Sequence, residues 1–472
     1  MTEITASLSI FRKFTKECSL KSFCTKFQRS IIAIIEFVMY GAALAAFFML
    51  FSIDNPEIIS LSRTAAVTLS TYVLMLYLLT NIYGGFDVGR KRRREIVISL
   101  VLTGIFTDVI TYFELTIMKT NEANNATFTI ENVGILFAVF LVQIIIYIIM
   151  TYLGTAFFFW INEAEKCLIV ASDVEEAKRV LKAMQMFARR YSVNEIVSIN
   201  EENLEEKMLA ADSIVLYEVP VEKRVEIVDF CYQNLKNIYF NPQIADILEH
   251  NSKSEVIDDI SFFSWKFHMI TFEQRIVKRL MDVIISALMI VVLSPLLLIS
   301  AICIKKNDGG KVLFKQKRAT VHGKVFEIYK FRTMKENVEN KSTFVGDDRI
   351  TSVGKVLRKY RIDELPQLFN ILKGDMSLVG PRPEMLENVN EYTKELPEFR
   401  YRLRMKAGLT GYAQIIGKYN TTSKDKLMLD LMYIENYSIL KDIQLLFRTL
   451  LVIFKAEDST SAFQNDEENE NG

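Results

Sequence analysis

Two adjacent carboxylates, Asp363 and Glu364, stand among basic residues in the C-terminal part of this 472-residue chain. Nearby positive charge keeps a carboxylate ionised, as a nucleophile or a magnesium ligand must be. The basic residues are suited to clamping anionic oxygens, because arginine presents a planar fork of donors. They are Lys330, Arg332, Arg358, Arg361 and Arg382. Together these residue types predict a site for phosphoryl transfer.

Each of these elements is unspecific when it is taken alone. A lone Asp-Glu pair is most often a solvated helix start, and Arg382 between two prolines is compatible with a rigid surface turn. Asp363 fits the N-cap of a helix over residues 364–373, with Pro366 in its first turn and Gly374 as its stop. Because a helix N-terminus favours anions, the same place is suited to a phosphate.

An apolar run over residues 280–304 precedes these residues, and basic residues flank both of its ends. Ser294-Pro295 lies near its middle, where proline removes a backbone donor and the serine hydroxyl can satisfy the freed carbonyl. Since both flanks favour the cytoplasm, we expect a re-entrant helix that bends at Ser294-Pro295 and returns to the same face. The alternative is a plain fifth crossing, which would place everything after Lys305 outside.

Four further apolar runs, over residues 31–53, 64–83, 96–118 and 133–160, each reach the length of about 20 residues that a bilayer requires. Half of the residues are hydrophobic and the mean hydropathy is +0.18, which indicates a chain partly in lipid. Basic residues are concentrated in the leader and in the connection over residues 84–95. The positive-inside rule therefore places both in the cytoplasm, and four crossings return the chain there near Asn162.

Composition narrows the remaining classes of function. Lys+Arg and Asp+Glu are both 57, so no basic excess suggests a nucleic-acid partner. The five cysteines form no C-x-x-C pair, and the three histidines are too far apart in sequence to suggest zinc. Acids within the apolar runs are costly in a membrane. For Glu36, Asp108 and Glu114 we favour structural roles, at segment ends or facing the bundle.

The region over residues 163–271 alternates short apolar strands with helices, which predicts a parallel sheet with crossover helices. A dinucleotide site would need a glycine-rich turn after the first strand. No glycine occurs between Gly154 and Gly309, and the turn reads Ala171-Ser172-Asp173-Val174. We therefore favour structural or regulatory docking over cofactor binding for this domain.

Taken together and in this order, the C-terminal residues resemble the bacterial sugar transferase family, the polyprenyl-phosphate sugar-1-phosphate transferases. Asp-Glu-Leu-Pro-Gln at 363–367 and Gly-Pro-Arg-Pro at 380–383 carry the resemblance, which is close over about residues 272–457. The four apolar runs and the glycine-poor domain look like the longer members, which start exopolysaccharide, capsule or O-antigen units. Departures at Lys406 and Lys418 lie in a loop expected to shape the pocket, so they bear on the identity of the sugar.

The resemblance implies a membrane protein with a four-helix transmembrane bundle, a Rossmann-like α/β middle domain and a re-entrant helix that leads into a mainly α (α/β) catalytic domain. It implies a multi-pass location in the bacterial cytoplasmic membrane, with the catalytic domain on the cytoplasmic side. The expected domains are a basic leader (1–30), four transmembrane helices (31–162), the Rossmann-like domain (163–271), the re-entrant helix (272–304), the catalytic domain (305–456) and a disordered acidic tail (457–472).

The resemblance also implies roles for single residues. Asp363 matches the nucleophile that attacks the sugar-linked phosphate of a UDP-sugar and expels UMP, and Glu364 matches the carboxylate associated with Mg²⁺. Lys330, Arg332, Arg358 and Arg382 match positions associated with phosphate or nucleotide binding. Ser294 and Pro295 match the break in the family's re-entrant helix. Undecaprenyl phosphate is the implied acceptor, and a homodimer through the front half is left open.

Two alternatives remain at this point. The segment over residues 400–406 alternates basic and apolar residues, so it lies either against anionic lipid or in solvent as a basic strand. The whole chain is alternatively a non-enzymatic membrane scaffold or sensor for polysaccharide assembly, because its middle domain is large and has no visible site.

Overall fold

The computed structural model describes residues 20–118, 129–250, 252–265, 270–335, 349–417 and 422–454. The chain divides into two compact units, residues 1–241 and residues 242–472. The expectations for Lys418, for most of the basic leader and for the acidic tail fall outside the described residues.

The first unit begins with one short helix and four long apolar helices, which lie on the four predicted spans, although the first long helix ends at Phe51 rather than at residue 53. Their bounds are α1 Leu20–Lys26, α2 Gln28–Phe51, α3 Arg63–Tyr83, α4 Arg93–Met118 and α5 Val133–Ile161. Among the described residues, five helices of the whole chain are long and apolar enough to cross a membrane, namely α2 to α5 and a later helix of the second unit. The protein is therefore a membrane protein.

Large aromatic side chains hold helices α2 to α5 together. Phe47, Tyr72, Tyr112 and Val139, one from each helix, share a single buried cluster. Asp108 of α4 is fully buried, and its Oδ1 accepts a hydrogen bond from Gln143 Nε2 of α5 at 3.1 Å. The expectation that Asp108 faces the interior of the helices is therefore confirmed.

After α5 the chain forms the predicted parallel sheet. Its elements are β1 Glu165–Ala171, α6 Val174–Gln185, β2 Tyr191–Ser198, α7 Leu204–Ala210, β3 Ser213–Tyr217, α8 Val221–Gln233 and β4 Asn237–Phe240. The strand order is β2-β1-β3-β4 and every pairing is parallel. Asp173 caps α6 by accepting hydrogen bonds from two backbone N–H groups, so the turn that would hold phosphates in a dinucleotide fold is closed by its own side chain.

The basic connection between α3 and α4 contacts the sheet domain. Arg190 Nη1 donates to Gly89 O at 3.4 Å, and the Arg92 guanidinium lies over the Phe187 ring at 5.6 Å. Lys21 of α1 forms a 3.2 Å ion pair with Glu163. The start of the described chain, the basic connection and the sheet therefore lie at the same end of the long helices.

The second unit is an α/β domain that contains one very long helix. Its helices are α9 Ile244–Glu249, α10 Phe272–Asp308, α11 Ser352–Lys359, α12 Gln367–Lys373, α13 Leu386–Glu395, α14 Tyr412–Ile416, α15 Ser423–Glu435 and α16 Ile439–Phe454. Its strands are β5 Lys253–Ile257, β6 Ile260–Ser264, β7 Leu313–Ala319, β8 Val325–Phe331, β9 Ser377–Val379 and β10 Gly408–Thr410. Ile247, Leu368, Leu378, Phe399 and Leu431 belong to one core.

The N-terminal part of α10 is fixed to the domain by polar contacts. Lys278 Nζ donates to Asp442 Oδ2 at 2.5 Å, and Arg279 donates to the last carbonyls of α12, including Ile371 O at 2.6 Å. Asp282 Oδ1 accepts from Leu378 N at 2.9 Å. Lys278 and Arg279, which the sequence suggests are flanks at a membrane surface, are thus internal contacts of the domain.

Pro295 lies inside α10 and leaves Val291 O without its usual helical donor. Ser294 Oγ donates to that carbonyl at 2.7 Å, as the sequence argument expects. Beyond the proline, Ile304 packs with Phe331 and Leu357 of the domain.

Candidate active site

Glu364 is the centre of the predicted site. Its Oε1 accepts from Lys330 Nζ at 2.9 Å and from Arg382 Nη2 at 3.0 Å. These three residues come from separate elements, namely the end of β8, the turn before α12 and the loop after β9. The structure therefore brings together the carboxylate pair, Lys330 and the arginine of the Gly-Pro-Arg-Pro stretch.

The backbone around the carboxylates differs from the predicted helix start. Ile362–Glu364 is one turn of 3₁₀ helix, and α12 begins only at Gln367. Asp363 is therefore not an N-cap residue. The turn follows Arg361, which has φ +54° and so adopts a left-handed conformation directly before the turn that carries the two carboxylates. Gly374, with φ +94°, ends α12 as predicted.

The two neighbouring carboxylates have different proton affinities. Burial, and then the charge of Glu364, raise the pKa of Asp363 to about 6. The cations that act in the opposite direction are Lys330, Arg358 and Arg382. Burial also raises the pKa of Glu364, but the charges of Lys330 and Arg382 outweigh it and hold that pKa far below its usual range. Glu364 is thus ionised throughout the physiological range, whereas Asp363 becomes a carboxylate above about pH 6.

Lys330 is positioned by a residue that the sequence analysis did not single out. Asn370 of α12 is fully buried, and its side-chain oxygen accepts from Tyr329 N at 2.9 Å. Its amide nitrogen donates to Glu327 O at 2.7 Å. Asn370 therefore fixes the strand that carries Lys330 to the helix that follows the carboxylates.

Arg358 reaches the site from α11. Its Nε donates to Thr333 Oγ1 at 2.8 Å, and its charge acts on Asp363. A Cβ atom on Gly354 would lie 2.1 Å from Thr333 O, so α11 can approach the end of β8 this closely only because residue 354 is glycine.

Arg361 and Arg332 take different positions. Arg361 is exposed, and its charge helps to lower the pKa of Glu364. The Arg332 guanidinium is largely buried against Gly310, where an added Cβ would lie 1.9 Å from its Nη1. The structure thus places Arg332 beside the segment that follows α10, and its predicted role at a phosphate stays a prediction.

The loop that carries Arg382 rests on a buried ion pair. Arg402 is only 3% exposed, and its Nη2 lies 2.8 Å from Arg382 O and 2.7 Å from Asp430 Oδ2. Burial raises the pKa of Asp430 to about 6, against the charge of Arg402. Neither expectation for the segment over residues 400–406 holds for Arg402. The chain forms a 3₁₀ helix over Pro397–Arg404, and this guanidinium points into the domain.

Three glycines allow the loops around Arg382 to meet. A Cβ on Gly380 would lie 2.2 Å from Lys406 O, and one on Gly408 would lie 2.1 Å from Gly380 N. A Cβ on Gly411 would lie 2.2 Å from Gly380 O. The glycines of two separate motifs are therefore explained by direct backbone contact at the short β9–β10 pairing.

The carboxylates fit part of the coordination shell of a magnesium ion. Mg²⁺ is usually held by one or two carboxylates together with substrate phosphates and water. Both hydrogen bonds to the ionised Glu364 use Oε1. Within the described ranges, no group of three or more His, Cys, Asp or Glu side chains forms a complete protein cage. Magnesium at this place stays a prediction.

Comparison with known proteins identifies the same region. The family described as bacterial sugar transferase matches residues 273–456. An uncharacterised sugar transferase of Bacillus subtilis is 38% identical over 183 residues, which are 39% of this chain and 89% of that protein. The chain belongs to the bacterial sugar transferase family.

Two further relatives of this sugar transferase carry names that state a reaction. The UDP-glucose:undecaprenyl-phosphate glucose-1-phosphate transferase of Caulobacter vibrioides is 41% identical over 181 residues, which are 37% of this chain and 68% of that protein. The UDP-N-acetylgalactosamine-undecaprenyl-phosphate N-acetylgalactosaminephosphotransferase of Aeromonas hydrophila is 43% identical over 183 residues. In that case the alignment covers 38% of this chain and 43% of the relative's length.

Proposed function

We propose that this sugar transferase moves a sugar-1-phosphate from a UDP-sugar to undecaprenyl phosphate, giving undecaprenyl-diphosphate-sugar and UMP. This is the first membrane step in building a polysaccharide such as an exopolysaccharide, a capsule or an O-antigen. The proposal is supported by the named reactions of the relatives and by one feature of the site. That feature is a half-buried Asp363, whose raised pKa makes it a carboxylate above about pH 6, beside a Glu364 that forms ion pairs with Lys330 and Arg382.

The proposed reaction has two displacements at one phosphorus atom. The Asp363 carboxylate attacks the sugar-linked phosphorus of the donor, and the bond to the UMP oxygen breaks. A phosphate oxygen of undecaprenyl phosphate then attacks the same phosphorus and releases the Asp363 carboxylate. Asp363 ends as it began, so it acts as a nucleophilic catalyst.

The other side chains of the site bind and neutralise anions in this proposal. Lys330, Arg358 and Arg382 offset the negative charge that gathers on the phosphoryl oxygens. Glu364 would hold Mg²⁺ together with the donor phosphates, and the bound ion would lower the repulsion between the nucleophile and the diphosphate. The ion pairs of Glu364 keep this side chain in place before a donor arrives.

We further propose that α10 is the re-entrant membrane helix. A straight helix would separate Arg279 from Ile304 by about 38 Å. Yet Arg279 is bonded to Ile371 O, and Ile304 packs on Phe331. These two partners, Ile371 and Phe331, lie close together. Asn370 directly precedes Ile371, and its side chain accepts a hydrogen bond from Tyr329 N, two residues before Phe331. A bend at Pro295 accounts for both contacts.

Orientation follows from the basic residues. Positive charge favours the cytoplasmic side, and the basic connection after α3 contacts the sheet domain through Gly89 and Arg92. We therefore place the sheet domain in the cytoplasm, and a re-entrant α10 keeps the catalytic domain there, where nucleotide-sugars are found. A homodimer through the front half stays a prediction.

The test is release of UMP by the purified full-length protein with magnesium, undecaprenyl phosphate and a panel of UDP-sugars. We expect one donor to support release and Asp363→Asn to abolish it while the protein stays folded. Glu395→Gln, which removes an exposed carboxylate at the end of α13, is the control and is expected to keep full activity. Near-normal turnover by Asp363→Asn would disprove the role of the nucleophile.

A further inference from the structure

Arg318, near the end of β7, is a basic residue of the site region that the sequence analysis did not include. Alternate side chains of β7 point inward, and Arg318 is one of them. Its Nη1 donates to Pro383 O at 3.2 Å and its Nη2 donates to Gln316 Oε1 at 2.5 Å. Its Nε is buried and has no hydrogen-bond partner among the described residues.

The contacts of Arg318 bring it close to a second arginine. Pro383 follows directly after Arg382, so the hydrogen bond to Pro383 O places the Arg318 guanidinium at the loop that presents Arg382. Burial, and then the positive charge of Arg382, lower the pKa of Arg318 to about 10. Two arginines therefore lie near each other in a partly desolvated place, which is unfavourable for a pair of like charges.

The two arginines are neutralised differently. Arg382 has a carboxylate partner, Glu364 at 3.0 Å. Among the described residues, Arg318 has hydrogen bonds only to a carbonyl and to an amide oxygen, which carry no net charge. In the described part of the chain no carboxylate lies within 4 Å of Arg318. The charges of Glu384, Glu364 and Glu387 act on Arg318 only from a distance, and its buried donor Nε has no acceptor among the described residues.

A phosphate supplies what this place lacks, since it brings negative charge and several acceptors to the guanidinium fork. We propose that Arg318 and Arg382 form a paired-arginine site for the diphosphate of the nucleotide-sugar donor, with Arg318 binding the phosphate that leaves in UMP. This inference rests on the proposed function. Arg382 adjoins the carboxylates and so serves the sugar-linked phosphate, which leaves the nucleotide-linked phosphate to Arg318.

The assignment predicts an effect on one half of the reaction. Arg318 acts while the nucleotide is bound, so its loss slows formation of the phosphosugar on Asp363. The second displacement begins after UMP has left and is expected to keep its rate. A residue that only supports the fold of the loop would slow both halves.

The experiment compares Arg318→Gln and Arg318→Lys with Lys317→Gln, which removes an exposed charge from the same strand. Full-length proteins are assayed for UMP inhibition of turnover, for steady-state kcat and KM, and for transfer from the preformed phosphosugar enzyme to undecaprenyl phosphate. A lost charge-assisted hydrogen bond corresponds to about tenfold or more in affinity. We expect the UMP inhibition constant to rise by at least about that factor in Arg318→Gln, to recover partly in Arg318→Lys and to stay within about twofold in Lys317→Gln.

An unchanged UMP inhibition constant in folded Arg318→Gln would overturn the inference, as would equal slowing of both half-reactions. If Arg318→Gln does not fold, Arg318→Lys decides, because it keeps the charge but not the fork. Equal UMP binding by wild type and by that variant would then refute the site. If wild type releases no UMP from any donor, the proposed function fails, and titration of each protein with UMP still tests the arginine pair.

Discussion

Tyr329 donates its backbone N–H to the side-chain oxygen of Asn370 at 2.9 Å, and the amide of Asn370 donates to Glu327 O at 2.7 Å. One buried side chain therefore fixes β8 to α12. Lys330 follows Tyr329 along the chain, and the carboxylate pair lies just before α12. The distance between Lys330 and Glu364 thus depends on a neutral residue that contacts neither of them in the described bonds.

Replacement of Asn370 tests this relationship. In Asn370→Ala two partly buried backbone groups lose their partner, and a buried group left unsatisfied costs about 1–3 kcal/mol. We expect a lower melting temperature and, in the folded fraction at low temperature, a kcat reduced more than tenfold, because the Lys330–Glu364 pair is no longer held. Asn390→Ala, at an exposed position of α13, is the control for the same change of residue type. Full activity of Asn370→Ala would show that Lys330 is positioned by other contacts.

The raised pKa of Asp363 predicts a pH dependence. The carboxylate is the reactive form, and its pKa is about 6. Activity is therefore expected to be full well above pH 6 and to fall about tenfold for each unit of pH below it, as protonation removes the nucleophile. The measurement is the initial rate of UMP formation in single-turnover experiments between pH 5 and 8.

Asp430 has a pKa in the same range, so the two groups must be separated. Asp430→Asn removes the titration of residue 430, so that of these two carboxylates only Asp363 still titrates near pH 6. We expect a lower rate, because Arg402 loses the nearer of its two carboxylate partners, but an inflection at the same pH. An inflection that disappears in this variant would assign the pH dependence to the Arg402–Asp430 pair instead.

The ion pair between Lys278 and Asp442 predicts a large effect on stability. Both side chains are buried, and Tyr433 donates a second hydrogen bond to Asp442 at 2.6 Å. Lys278→Met leaves a buried carboxylate without its cation, which costs about 3–5 kcal/mol. Adding Asp442→Asn removes the unpaired charge and keeps an acceptor for Tyr433, so the double variant is expected to regain most of the stability. Thermal unfolding in detergent measures both, with Lys306→Met, exposed on the same helix, as the control.

Much of the fold follows from local patterns. The parallel sheet of the first unit was predictable because its strands are short apolar runs between helices with charged faces. Helix α6 ends at Gln185, and residues 186–190 form the turn into β2. Helices α2 and α4 each begin three residues before the apolar run that predicted them, since residues such as Arg93 and Arg94 extend a helix without being apolar.

The candidate site was predictable in its members and less so in its geometry. The members were predictable because they are charged residues in recognisable motifs. Two of these cations, Lys330 and Arg382, form ion pairs with Glu364. Asn370 and Arg402 were missed for opposite reasons. Asn370 is neutral and lies in an apolar helix, whereas Arg402 stands in a basic segment that resembles a surface. The left-handed conformation of Arg361 could not be predicted, because the residue at this position is not a glycine.

The backbone at Gly380 lies so close to the backbone at Lys406 that we expect no side chain to be tolerated at position 380. A Cβ there would lie 2.2 Å from Lys406 O, and β9 and β10 have no space to separate because Gly408 and Gly411 meet the same residue. In Gly380→Ala the loop that carries Arg382 must shift, so we expect kcat to fall by more than tenfold and the melting temperature to fall as well. Gly41→Ala, where an added Cβ meets nothing within 4 Å, is expected to change neither quantity. Wild-type activity in Gly380→Ala would mean that the loop accommodates a shift without moving Arg382 from Glu364, and the link between this close approach and catalysis would then be wrong.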